Sequence, residues 1–128
     1  MITAEESYLL QAGDLVWVDL RPTRGREQSG VRPAVVLTDR EYHRRNKTAV
    51  ICPITRNVAP WPTKVFLPNG LEAEGAVLTD QIRTVDRLRR GFRHIGNVPD
   101  EILNAVRVKI ATLLAIDVTH IVGAHHRG

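Results

Sequence analysis

TRGREQSGVRPAVV, residues Thr23 to Val36, is a polar loop punctuated by glycines that runs without a break into an apolar stretch beginning at Pro33. The loop holds Glu27, Gln28 and Arg32. Loops of this composition, set directly against a strand, carry ligand or catalytic groups on a rigid sheet more often than they merely connect it. PAVVLT (Pro33–Thr38) therefore reads as a strand, and the polar segment before it as the place to look for chemistry.

Working outward, more short strands follow, each closed by turn residues. DLVWVDL (Asp14–Leu20) alternates, with Leu15, Trp17 and Asp19 on one face and Val16, Val18 and Leu20 on the other. Both faces are largely apolar, as a strand covered on both sides requires. TAVICPI (Thr48–Ile54) is similar, but Pro53 cannot donate a ladder hydrogen bond, so the strand should end, kink or meet an edge there. Thr63–Leu67 is a short strand before a Pro68–Gly70 turn, in which Asn69-Gly70 is a hairpin signal. Gly75–Leu78 and Gln81–Val85 read as two strand pieces or one long bent strand, and Arg93–Ile95 as a last short one.

Beyond Pro99 the period changes. Pro99, Asp100 and Glu101 suit a helix first turn, and Ile102, Val106, Ile110, Leu113 and Leu114 then form one apolar stripe to about Ile116. Short strands followed by one amphipathic helix describe a mainly β fold, a small barrel or curved sheet with the helix packed on it. Residues 1–12 read as a lead-in, 13–116 as one domain and 117–128 as a flexible tail, with no internal repeat or linker.

Composition fits one soluble domain: 43% hydrophobic and 25% charged over 128 residues. No segment reaches the ~18 apolar residues of a membrane span. The N-terminal MITAEESYLL is too acidic and short for a signal peptide, so a cytoplasmic location is expected. Cys52, the single cysteine, sits in an apolar run and reads as a buried, inert thiol. His120, His125 and His126 make no convincing metal site, and neither metal nor cofactor is expected.

The net charge is only +4, yet 15 of the 18 basic residues are arginine, the side chain whose planar fork suits phosphate. They bunch at Arg21–Arg32, Arg40–Lys47 and Arg83–Arg93. Two readings stand: one basic surface for nucleic acid or an acidic protein segment, or ordinary solvated loops.

Taken in order, GDLVWVDL, PTRGREQSGVRP, a V-x-L run, CPIT, DQIRT and the C-terminal helix resemble the MazF/PemK family of toxin endoribonucleases, from about Gly13 to Ile116. The resemblance implies an SH3-like small β-barrel with a C-terminal helix, a homodimer, and metal-independent cutting of single-stranded RNA. It also implies a cognate acidic antitoxin that occupies the RNA groove. Matched by motif, Arg32 and Thr55 are the residues of the chemistry, Glu27 supports them, and Gln81 helps hold the site together. Arg26 and Arg56 depart from the commoner pattern and add positive charge beside the site. With Gln28, Trp61, Gln81 and Arg83 they are the candidates for RNA binding.

Cutting RNA without a metal uses the substrate's own 2′-hydroxyl and leaves a 2′,3′-cyclic phosphate and a 5′-hydroxyl. Arg32 suits stabilisation of the charge that develops on phosphorus, and with a pKa above ~12 it is a poor base. Thr55 can bond a phosphate oxygen or orient the 2′-hydroxyl. Glu27 is either the general base or the group that holds Arg32 or a loop amide. His43 and His94 are isolated and read as solvated or structural, and Trp17 as core. Trp61, between two prolines, reads as a base-stacking residue or as a dimer or antitoxin contact. The arginines from Arg83 to Arg93 read as groove rim or solvated face. The competing functions are a CcdB-like topoisomerase-poisoning toxin and a non-catalytic nucleic-acid-binding barrel.

Overall fold

The computed structural model describes residues 9–21 and 30–117. In chain order its elements are β1 (Asp14–Asp19), β2 (Val31–Val36), α1 (Arg40–Arg45), β3 (Thr48–Thr55), β4 (Lys64–Phe66), β5 (Ala76–Leu78), a 3-10 turn (Thr79–Gln81), β6 (Arg83–Asp86), β7 (Arg93–Asn97) and α2 (Asp100–Leu113). Every strand pairing is antiparallel. The order is β4-β5-β3-β2-β1-β7, with β6 also paired to β3. Among the described residues no pairing joins β4 to β7, so the sheet is open where a closed barrel was expected.

β3 is the hub. Along one edge it meets β2, with Ala34 opposite Pro53 and Val36 opposite Ile51. Along the other it meets β6 from Thr48 to Ile51 and then β5 at Ile54 and Thr55. The two strand pieces read after Gly75 thus follow a single edge of β3, interrupted by the 3-10 turn. Pro53 does not end the strand. It stands where β6 has stopped and β5 has not begun, so its missing donor coincides with a break in pairing on that edge.

Alternation along the central strands builds two cores. Val16, Val18, Leu20, Ala34, Val36, Ala49 and Ile51 face one way and pack with Leu10, Val85 and Phe92. Leu15, Val35, Cys52 and Ile54 face the other way, against Val65, Val77, Val98 and the helical Leu103 and Val106. Each fully buried aliphatic or aromatic side chain here contributes about 1.5–3 kcal/mol.

α1 has no counterpart in the sequence reading, because its six residues, REYHRR, carry no apolar period. Asp39 caps it, its Oδ1 accepting from the Tyr42 amide at 2.9 Å. His43, on its inner side, is fully buried. Its Nδ1 donates to the Leu10 carbonyl at 2.7 Å, which leaves Nε2 to accept from the Thr38 hydroxyl at 2.7 Å. Burial lowers the His43 pKa, opposed by the Leu10 bond and reinforced by the nearby charge of Arg87. Arg87 itself is 1% exposed, contrary to its reading as rim or solvated face. Its guanidinium donates to the carbonyls of Asn46 (2.7 Å), Thr48 (2.6 Å) and His43 (2.9 Å). It thereby satisfies the C-terminal end of α1, where helix carbonyls otherwise lack partners.

α2 begins after Pro99, whose carbonyl accepts from the amides of Ile102 and Leu103. Its buried residues are Leu103, Val106 and Ala111, whereas Leu113, Leu114 and Ile116 are exposed, so the inward stripe stops sooner than its sequence period indicated. The helix closes with the Ile116 amide on the Ala111 carbonyl at 2.8 Å and with Ala115 in the left-handed region at φ 57°. No helix among the described residues is long and apolar enough to cross a membrane.

Candidate functional site

The β2–β3 register pairs Ala34 with Pro53. Continued toward the end of the sheet, it brings Arg32 level with Thr55, and Arg32 is itself opposite Val18 of β1. Residues opposite one another on antiparallel strands share a face, so this end of the sheet sets the arginine and the threonine side by side. Thr55 is 4% exposed, and its Oγ1 accepts from the Asn57 amide at 3.1 Å as the chain turns out of β3. Its hydroxyl hydrogen is left to donate. Gly75 secures the other flank. Its φ is +118°, and a Cβ there would lie 1.9 Å from the Thr55 carbonyl oxygen, so only glycine lets the entry to β5 come this close.

The adjacent face carries a groove. Trp17 stands opposite Pro33 on one side and Arg93 on the other. The row before it, Leu15 and Val35, lies in the core with the α2 residues Leu103 and Val106, and the Trp17 row does not. The result is a cavity of about 540 Å³ lined by Trp17, Val31, Arg32, Pro33, Ile54 and Arg56 and by the segment Leu71–Glu74. A more open hollow of about 410 Å³ continues past Trp17 and Val31 to Gly91 and Arg93. The Glu72 carboxylate is packed against Gly96, where a Cβ would come within 2.4 Å of it.

The structure sorts the residues picked from sequence. The strand register sets Arg32 level with Thr55; Arg32 and the exposed Arg56 line the cavity, and the buried Thr55 is not among its lining residues. Glu27, Gln28 and Arg26 lie outside the described residues. Gln81 ends the 3-10 turn and is half-buried. Arg83 stands opposite Ile51, further down β3 and about 13 Å from Thr55 by strand rise. Trp61, 62% exposed, sits in the β3–β4 loop, which Lys64 ties down by donating to the carbonyls of Asn57 and Ala59. It is not among the residues lining the cavity.

Other expectations resolve plainly. Cys52 is buried, and burial pushes its thiol pKa up to about 12, leaving it unreactive. His43 is structural, and His94 sits 3.6 Å from Asp14. Several arginines are occupied with the fold, Arg90 on the carbonyls of Asp19 and Arg21 and Arg40 on that of Leu9. Among the described residues no three His, Cys, Asp or Glu side chains are grouped to hold a metal ion. The sequence reading missed the groove role of Trp17, taken as core, and it missed Glu72 and Glu74 altogether. Loop acids carry no signal that separates a cavity wall from a solvated turn.

Comparison with known proteins places this arrangement. Residues 11–114 match the family model described as PemK-like, MazF-like toxin of type II toxin-antitoxin system. The chain is 37% identical over 107 residues to the endoribonuclease toxin MazF of Escherichia coli K12, covering 84% of this chain and 96% of that protein. It is 33% identical over 113 residues to endoribonuclease EndoA of Bacillus subtilis, covering 84% and 97%. Among solved structures, MazF from Deinococcus radiodurans superposes with a TM-score of 0.81 at 36% identity, over 85% of this chain and 99% of that one. A MazE-MazF complex from the same organism gives 0.77 at 35% identity, over 86% and 99%. A sheet hub that sets Arg32 beside Thr55, an intact motif order and similarity over residues 11–114 agree: this chain belongs to the PemK/MazF-like family of type II toxins.

Proposed function

We propose that the chain is an endoribonuclease, the toxin of a toxin–antitoxin pair, and that it cuts single-stranded RNA without a metal through the Arg32–Thr55 pair. The observation that carries this reading is the β2–β3 register, which brings those two residues level at one end of the sheet. Relatives named as endoribonucleases support the reaction class. In the step itself the 2′-oxygen bonds to the adjacent phosphorus as the bond from phosphorus to the 5′-oxygen breaks. The 2′ proton passes to a base, for which Glu27 is the candidate, and the departing 5′-oxygen gains a proton. A 2′,3′-cyclic phosphate and a 5′-hydroxyl result. Arg32 holds the non-bridging oxygens as their charge grows, and Thr55 orients the 2′-hydroxyl or donates to a phosphate oxygen.

Arg26, Gln28, Arg56, Trp61, Gln81 and Arg83 are proposed to add RNA affinity around that pair. Family membership also supports an SH3-like fold class, with the barrel left open between β4 and β7, the cytoplasm as the place of action and an acidic, MazE-like antitoxin as partner. A homodimer is consistent with Leu113, Leu114 and Ile116, which lie exposed at the end of α2.

The test is a long unstructured RNA incubated with the protein in excess EDTA, beside Arg32→Ala, Thr55→Ala and Glu27→Gln, with the product ends mapped. Discrete cuts by wild type alone, bearing cyclic phosphate and 5′-hydroxyl ends, are expected. Intact RNA would move the assignment to a binding barrel or a topoisomerase-directed toxin.

A further inference from the structure

We propose that Lys64 is a positioning residue for the Thr55 hydroxyl, acting through the turn that leads the chain out of β3. The proposal rests on the RNA-cutting reading and adds to it a group outside the motif residues. Thr55 is only 4% exposed, so a small shift of that turn decides whether its hydroxyl reaches a substrate. The Thr55 Oγ1 accepts from the Asn57 amide at 3.1 Å, which ties the side chain to the turn and leaves the hydroxyl hydrogen to donate.

Burial does not hold this turn. Every residue from Arg56 to Pro62 is exposed, so no buried apolar side chain of the segment pins it to the core. Pro60 and Pro62 bring no backbone donors. Polar bonds take the place of packing. The Asn57 Oδ1 accepts from the Ala59 amide at 3.0 Å, an Asx turn that tightens residues 57–59. The Lys64 Nζ donates to the carbonyls of Asn57 at 2.7 Å and Ala59 at 2.8 Å, and the Lys64 amide donates to the Trp61 carbonyl at 3.0 Å. One ammonium thus holds both ends of the Asx turn.

Lys64 can do this because of where β4 stands. It lies opposite Leu78 of β5, and β5 in turn sets Ala76 opposite Thr55. Val65 and Val77, buried and opposite one another at the next position, anchor the β4–β5 pair. The clamp is therefore mounted on the same run of strands, β4-β5-β3, that carries Thr55. Lys64 is not among the residues lining the cavity beside Arg32 and Arg56, and two of its three donors are taken by carbonyls. That arrangement suits a clamp better than a phosphate contact. Bonds from an ammonium to a carbonyl are charge-assisted and stronger than neutral ones, so a neutral isostere releases the turn.

Lys64→Met keeps most of the side-chain stem and removes its donors, whereas Lys64→Arg keeps both charge and donors. Cleavage sites are mapped on a long unstructured RNA, and a fluorogenic oligonucleotide spanning one of them then gives kcat and KM. Lys64→Met should lower kcat about tenfold with KM within about twofold, since misplacing a reacting group by about 1 Å can cost up to a hundredfold. Lys64→Arg should recover most of that rate, and both variants should keep the urea midpoint of wild type. Amide hydrogen exchange followed by NMR reads the turn itself. The Asn57 and Ala59 amides should exchange about tenfold faster in Lys64→Met, with those of β1 unchanged.

A raised KM with kcat unchanged overturns the clamp, in favour of a cation that meets the RNA backbone directly and lowers the salt dependence when removed. A lost rate with unchanged exchange at Asn57 and Ala59 overturns it as well. A fallen urea midpoint with faster exchange throughout β1 makes Lys64 a support of the sheet and nothing more. Equal cleavage by wild type and Lys64→Met sinks the clamp and leaves the nuclease standing. RNA left intact by wild type removes the nuclease reading, and the positioning role falls with it.

Discussion

One face of the β1–β2–β3 sheet is closed over Val16, Val18, Ala34 and Val36 and ends at the Arg32–Thr55 row, and the other is closed only as far as α2 reaches. The two faces come from the same alternating residues, and Val16 and Leu15 are equally buried on opposite sides of one strand. What separates them is cover. The closed face has Leu10, Val85 and Phe92 over it, and it takes in polar groups, His43 and Arg87, whose hydrogen bonds run to backbone carbonyls and, for His43, also to the Thr38 hydroxyl. The other face has Leu103 and Val106 over its first row and then opens at Trp17. Polar chemistry in the first region is turned inward and serves the fold. In the second it faces outward, where a ligand can meet it.

The largest test of this contrast is Arg87→Ala, which strands buried carbonyls on the closed face. Loss of about 3–5 kcal/mol is expected from urea unfolding. A loss below about 1 kcal/mol would mean that water or another side chain replaces the guanidinium, and that the closed face does not depend on it. Arg32→Ala probes the end of that same face, where the arginine lies level with Thr55, and should behave in the opposite way. Cleavage should fall roughly a hundred- to thousandfold, with the unfolding midpoint close to that of wild type. If stability falls as far as for Arg87→Ala, the two regions are not distinct.

The closed face should also be sensitive to acid. His43 is held neutral with its pKa lowered, chiefly by burial. The unfolded chain, whose histidine titrates near the ordinary ~6.5, therefore binds the proton first as pH falls. The stabilisation is complete above about pH 6.5 and is lost progressively below it. Unfolding midpoints measured from pH 7.5 to 5 should show this slope in wild type and a flatter one in His43→Gln. The smallest effect concerns where cover stops. Ala115 occupies a left-handed position at the end of α2, so Ala115→Gly should add about 1 kcal/mol and sharpen that terminus. Unchanged thermal unfolding would show that the last turn bears no strain.

The strands were legible because alternation and turn residues are local. DLVWVDL announced a strand covered on both faces, and Trp17 went unrecognised for the same reason. Which of its two apolar sides lies bare depends on how far a helix almost a hundred residues later extends over the sheet. α1 was invisible because six mostly charged residues leave only the cap at Asp39 as a signal. Arg32 and Thr55 were legible as motif residues, yet their alignment is a matter of register, and register emerges from pairing. Arg87 could not be told from Arg89 or Arg90 by its neighbours, since what buries it is the carboxyl end of α1, formed by a distant segment.

The pairing of β1 with β7 also bears on when, during synthesis, the groove can form. Trp17 is made early and Arg93 late, and the helix that closes the core beneath them is later still. A ribosome must therefore release nearly the whole chain before the groove exists. The segments that build the groove meet only after β7 and α2 have been made.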